Sequence, residues 1–324
     1  MDQRKIVSEF SIIQCLEDLP GGIGESANQT HPEYEITCLA RNQEKADVLT
    51  SRYPMLSIAL GDLDNSNLLA EQAANADIVC HLASCEHVSA AKAISTGIST
   101  LAKSGAIKSV IHLSGSDILC FDDLNNSTYG TKSHKFYDDL QGVDEVLSIP
   151  EGAPHRDVDS TITQLGSENE SVKTAIVCPP AIFGTGRGPG NTRSIQVPEL
   201  VFYSLKRGSG FTLGHGEDRW ATVHVQDLSQ IFLKLVEDAA SKRWSATWGR
   251  HGFYFAGAHV ESLPWEAADQ VWEYSSLFLG TNSLCISNRE KQILSWVPEE
   301  RSLAEEIPQL VTQEAARLGL QSPS

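Results

Sequence analysis

"ADIVCHLASCEHVSAAKAISTGISTLAKSGAIKSVIHLSGS", residues 76–116, is the stretch whose reading decides the fold. It holds two near-continuous apolar runs, 76–84 and 108–116, each ending in small or polar residues. Strands that are apolar at nearly every position are buried on both faces, as in the middle of a parallel sheet. Between them, in 87–106, Ala90, Ala91, Ile94, Ile98 and Leu101 recur at the spacing of one helical stripe. A strand, a helix and a second strand joined in this way predict a doubly wound parallel α/β sheet.

Working outward, "EITCLAR" (35–41) and "LSIALGDL" (56–63) read as further strands, and "VKTAIVCPPAIFG" (172–184) as one stopped by Pro179-Pro180. Ahead of them "FSIIQCL" (10–16) can serve as the first strand, leading into "CLEDLPGGIGES" (15–26). From about residue 181 the texture changes. Gly and Pro punctuate 184–191, and helices are expected over 197–208, 225–240 and 263–280, with a closing helix in 305–324. In 225–240, Leu228, Ile231, Phe232 and Leu235 share one stripe. The chain therefore divides into residues 1–180, carrying the sheet, and a mixed lobe over 181–324, from which helix 225–240 packs back onto the sheet.

The glycines of "GGIGES" (21–26), followed by "HPEYEITCLAR" (31–41), resemble the opening of an extended or atypical short-chain dehydrogenase/reductase of the NAD(P)-dependent epimerase/dehydratase superfamily. That resemblance implies a Rossmann-like dinucleotide-binding domain over 1–180 and a substrate lobe over 181–324. The family shows Gly-x-x-Gly-x-x-Gly after its first strand. Gly21 and Gly24 match its second and third glycines, and Asp18 stands on the first. Glycines there let backbone N–H groups approach a pyrophosphate at a helix N-terminus. A carboxylate in that place sets like charge against like, at a cost of about 1 to a few kcal/mol. The resemblance also assigns cofactor contacts to Arg41 after the second strand, Asp62 and Leu63 after the third, Ala83 after the fourth, and Pro180. An Arg at position 41 suits the extra phosphate of NADP better than the ribose of NAD.

Reductases of this family use a Tyr-x-x-x-Lys pair with a nearby Ser or Thr, the ammonium lowering the phenol's pKa. None of the seven tyrosines here has a Lys four residues on; His155 and Asp159 stand where Tyr and Lys would fall. Ser114 and Ser116, two apart at the end of the fifth strand, are candidates for the family's hydroxyl. Tyr129, in a polar loop, and His155 are candidate proton donors, an imidazole being suited to that work near neutral pH. "VHVQDL" (223–228) resembles a segment of extended members, in which Asp227 is expected to cap the next helix. Arg219 matches a phosphate-gripping region, or else pairs with Glu217 or Asp218.

A net charge of −17 argues against nucleic acid or an anionic membrane as partner. No stretch has the ~20 apolar residues that span a bilayer, and the reading is a cytoplasmic protein. Seven scattered cysteines without a Cys-x-x-Cys pair predict reduced thiols. Histidines without metal-ligand spacing predict no metal. The expected function is an NADP-dependent oxidoreductase acting on a small carbonyl or hydroxyl metabolite, with NAD the lesser candidate and a homodimer left open. Two alternatives stand beside it: a non-redox isomerase, dehydratase or cyclase, and a silent NmrA-like dinucleotide sensor.

Overall fold

The computed structural model describes residues 4–9, 31–102, 107–210, 214–261 and 280–320. The alternation read from the sequence becomes a seven-stranded sheet among these residues. Its strands are β1 (Arg4–Glu9), β2 (Tyr34–Ala40), β3 (Ser57–Leu60), β4 (Ile78–His81), β5 (Lys108–Leu113), β7 (Val172–Cys178) and β10 (Phe253–Phe255), in the order β10-β7-β5-β4-β1-β2-β3. Every neighbouring pair is parallel. Two smaller sheets join β8 (Ala181–Phe183), β9 (Trp220–His224) and β11 (His259–Glu261), and pair β6 (Tyr137–Asp138) with β12 (Cys285–Ile286).

Two expectations change here. Among the described residues the first strand is Arg4–Glu9, lying between β2 and β4, while residues 10–16, where the sequence placed it, lie outside the described residues. Only Ile6 and Val7 of "RKIVSE" are apolar, so nothing local marks it as central; pairing on both sides does. Residues 10–30, with Asp18, Gly21 and Gly24, lie outside the described residues, as does the helix expected over 263–280. The 172–184 run is also two strands in different sheets, because the prolines end β7 and the chain turns into β8.

The helices are α1 (Gln43–Arg52), α2 (Ser66–Asn75), α3 (Val88–Ala102), α4 (Phe121–Asn126), α5 (Val143–Leu147), α6 (Arg156–Glu168), α7 (Gln196–Arg207), α8 (Val225–Ser241), α9 (Asn288–Ile293) and α10 (Leu303–Arg317). Successive strand residues face opposite sides. Val79 and Val110 meet Ile94 and Ile98 of α3 and Val158 and Ile162 of α6. Ile78, Cys80 and Ile111 meet Leu228, Ile231, Phe232 and Leu235 of α8 on the other face. Each such buried side chain contributes roughly 1.5–3 kcal/mol of transfer free energy. Helix α8 packs against this face of the sheet, and β10 joins the sheet beside β7. Helices α2 and α3 touch so closely that a Cβ on Gly97 would lie 2.0 Å from the Ala70 carbonyl oxygen. Among the described residues no helix is long and apolar enough to cross a membrane.

Candidate active site

The chain runs β1, β2, β3 to one side and then returns to place β4 on the other side of β1. In open α/β sheets this reversal leaves a crevice at the carboxyl ends of the strands, where ligands bind. The residues following β4 and β5 line that end. After His81 the chain passes through buried Leu82 and Ala83 to Ser84, Cys85 and Glu86. The Glu86 N–H donates to Ser84 Oγ (3.2 Å), tightening the turn into α3. Beyond β5, the Ser114 N–H donates to the Val177 carbonyl (2.8 Å) and that of Ser116 to Pro179 (2.9 Å), so both serines are held against β7. A 3₁₀ turn over Ser116–Cys120 then presents Asp117.

The third contributor is the start of α6. His155 is its N-cap and has a left-handed backbone, φ 64°, a conformation that costs a non-glycine residue about 1–3 kcal/mol. Local contacts hold it there. Arg156 donates from Nε to the Ile149 carbonyl (2.9 Å) and from Nη2 to that of Leu147 (2.5 Å), and the His155 N–H donates to Glu86 Oε1 (3.2 Å). The imidazole is 10% exposed; Nδ1 lies in close contact with Glu86 Oε1, and Nε2 is 3.6 Å from Asp117 Oδ2. Gly115 makes room for the ring, since a Cβ there would stand 2.9 Å from Nε2. The Cys85 thiol, a Glu86 carboxylate oxygen and a His155 ring nitrogen all lie within 4.8 Å of one another. Burial opposes charge on this imidazole, but Asp117, Cys85 and Glu86 outweigh it and hold its pKa well above the usual histidine value. Glu86 is lowered in turn, chiefly by its hydrogen bond with His155.

One turn into α6, Asp159 points into the interior. It is fully buried and accepts from Ser114 Oγ (2.8 Å), with its other oxygen 3.4 Å from His112 Nε2. His112 Nδ1 donates to the His81 carbonyl (3.3 Å), and the two imidazoles stack at 4.7 Å. Asp159 is thus a buried carboxylate tied to Ser114 and flanked by His112.

The sequence candidates are thus distributed unevenly. His155, Ser114 and Ser116 share one end of the sheet, both serines being buried. Tyr129 lies in a loop tied elsewhere: Gly130 N–H donates to the Gly280 carbonyl (2.7 Å), and Asn282 Nδ2 to Thr131 (2.8 Å). No hydrogen bond among the described residues joins it to His155 or Ser114. Arg41 is exposed after β2 and makes no ion pair among the described residues. Asp62 is exposed and accepts from the Asp64 N–H (3.1 Å) beside half-buried Leu63, and Pro180 is buried between β7 and β8.

Two side-chain roles are corrected. The cap of α8 is His224, whose Nδ1 accepts from the Gln226 N–H (3.2 Å), while Asp227 accepts from the N–H groups of Glu299 (2.9 Å) and Glu300 (3.3 Å). Arg219 donates to the Ser133 carbonyl (2.9 Å) and lies over the Phe136 ring; it forms no ion pair with Glu217 or Asp218. The sequence reading passed over Cys85, Glu86 and Asp117. Their one local signal is a thiol and carboxylate following directly on the small residues that end β4.

No protein-family model matches the chain. It is similar to the oxidase ucsJ of Acremonium sp., 32% identical over 322 residues covering 89% of this chain and 92% of that one. Its fold matches the yeast methylglyoxal/isovaleraldehyde reductase Gre2, complexed with NADPH (TM-score 0.61, 15% identity, 97% of this chain and 99% of that one). It also matches the dTDP-glucose 4,6-dehydratase of Bacillus anthracis, in complex with NAD (TM-score 0.62, 10% identity, 97% of each chain). By its relationship to ucsJ the chain belongs to the family of that oxidase, and its fold is that of the extended, epimerase/dehydratase-like short-chain dehydrogenases and reductases.

Proposed function

We propose that this protein is an NADP-dependent oxidoreductase of a small carbonyl or hydroxyl metabolite, working in the crevice above the carboxyl ends of β1, β4, β5 and β7. The observation that carries the reading is the convergence of His155, Asp117, Glu86 and Ser114 at the sheet's switch point, where this family does its chemistry. Residues 1–180 supply the cofactor side and 181–324 the substrate lobe, apart from α8 and β10. The fit to a dinucleotide rests on Arg41, an exposed cation after β2 where a 2′-phosphate would need one, with Asp62 and Leu63 beside it and Ala83 and Pro180 nearer the reacting end. Gly21 and Gly24 complete the set. When bound, the nicotinamide gives or takes the hydride.

This chain's own residues handle the oxygen. In reduction, the imidazolium of His155, held between Glu86 and Asp117, would give its proton to the substrate oxygen. In oxidation the neutral imidazole takes that proton back. Ser114 donates its own hydrogen to Asp159, which leaves its lone pairs to accept from a substrate hydroxyl, and Ser116 stands beside it. The rate benefit of a positioned acid or base of this kind is about 10²–10⁴-fold. Tyr129, bound to the 280–282 segment, is left to the substrate side of the loop.

The test is titration of the purified, folded protein with NADPH and NADH by calorimetry or nicotinamide fluorescence. Micromolar NADPH binding, with weaker NADH binding, is expected. Binding of neither nucleotide overturns the oxidoreductase reading and leaves a cofactor-free isomerase or a scaffold.

A further inference from the structure

The expectation of no metal came from the spacing of histidines along the chain, yet the fold assembles a donor set from two separate segments. Cys85 and Glu86 follow β4, and His155 caps α6; one ligand atom from each lies within 4.8 Å of the others. Ligands of a tetrahedral zinc-like ion at bond lengths of about 2.0–2.3 Å stand about 3.3–3.8 Å apart. Glu86 has the freedom to close that difference, its side chain being 61% exposed, and Cys85 is half-buried.

The state of His155 is the independent sign of a ligand. Its ring is nine-tenths buried, and its buried Nδ1 makes no hydrogen bond of normal geometry, meeting Glu86 and lying near Cys85, the two other proposed ligands. On the far side of the ring, Asp117 faces Nε2 at 3.6 Å. A carboxylate behind a histidine is the usual support of a metal-bound imidazole, fixing its tautomer and direction. The N-terminus of α6 adds about half a positive charge, which disfavours a cation. A thiolate and the two carboxylates outweigh it.

We propose that Cys85, Glu86 and His155 bind one divalent cation of the zinc class through Sγ, a carboxylate oxygen and Nδ1, with Asp117 orienting His155. Three protein ligands leave one position open, as in catalytic zinc sites. An imidazole bound to the ion through Nδ1 is not the proton donor, so the two uses of His155 exclude each other in one molecule at one time. Binding of the ion stands apart from nucleotide binding; any use of the open position on a substrate oxygen rests on the oxidoreductase reading.

The full-length protein, stripped with a chelator and shown to be folded by circular dichroism, is titrated without nucleotide with zinc against a chromophoric competitor, and with cobalt(II) by absorption. One equivalent is expected, and cobalt should give a thiolate-to-metal charge-transfer band that vanishes in Cys85→Ser. Asp117→Asn should weaken zinc about 10- to 100-fold, and Glu86→Gln, at an exposed side chain, should weaken it while leaving the fold intact. No stoichiometric uptake by the folded wild-type protein overturns the proposal, as does a charge-transfer band that persists in Cys85→Ser. If Cys85→Ser does not fold, wild-type affinity retained by both Glu86→Gln and Asp117→Asn overturns it equally. Loss of nucleotide binding with metal uptake intact would sink the oxidoreductase reading alone.

Discussion

The buried link between Ser114 and Asp159 is the contact on which the catalytic end of the sheet depends, and its worth can be measured. Removing the carboxylate with Asp159→Ala strands the buried Ser114 hydroxyl and takes away the carboxylate oxygen that stands 3.4 Å from the buried His112 Nε2. Each buried group left without a partner costs about 1–3 kcal/mol. Breaking a buried charged pair by deleting one member costs about 3–5 kcal/mol. We expect Asp159→Ala to lose about 3–5 kcal/mol, a large share of the roughly 5–15 kcal/mol that holds a typical domain. Ser114→Ala should lose about 1–3 kcal/mol, because only the donor is removed. The double variant should lose less than the sum by about 1.5–3 kcal/mol, the worth of a hydrogen bond to a charged group. Asp159→Asn, which keeps an acceptor for Ser114, should cost less than Asp159→Ala. Urea unfolding followed by circular dichroism, with equal m-values required across the set, reads all four variants. Additivity within about 0.5 kcal/mol, the behaviour of independent sites, would show that the two side chains do not depend on each other and refute the reasoning.

Three further outcomes follow from named contacts. Arg41→Glu should weaken NADPH at least about 10-fold and leave NADH nearly unchanged, since one charge pair near 4 Å is worth about 1–4 kcal/mol between bulk water and a partly shielded surface; paired titrations of the two nucleotides read it. Gly97→Ala should destabilise by about 1–3 kcal/mol, because its methyl would drive into the Ala70 backbone between α2 and α3, and a lower urea midpoint at unchanged m-value checks it. Glu290 is fully buried, and burial first, then the neighbouring Asp139, hold its carboxyl well above the usual carboxylate range. An acid raised in the folded state contributes stability at pH below its unfolded value, and that contribution is lost as pH climbs toward the folded value. The Glu290 contribution to wild-type stability should therefore fall as pH rises above the ordinary carboxylate range, and Glu290→Gln should flatten that decline; parallel slopes for the two proteins would contradict this.

Much of the fold was legible because its signals are local. The apolar runs at 76–84 and 108–116 became β4 and β5, buried on both faces, and the stripe Leu228, Ile231, Phe232, Leu235 became the buried side of α8. The strand–helix alternation also located the crevice, since right-handed crossovers leave few topologies open. β1 was not legible. "RKIVSE" carries too little apolar surface to announce a central strand, and its place comes from hydrogen bonds to β2 and β4. His155 and Asp159 could be found in the sequence because they stand four apart on one helix, where two missing family residues drew attention to them. The sequence could not show that Asp159 turns inward to Ser114 and His112 while His155 faces Cys85, Glu86 and Asp117. Periodicity along a chain records which residues face the core, because each element satisfies that pattern by itself. Chemistry between loops depends on the relative placement of several strand ends, and only the packed sheet decides that.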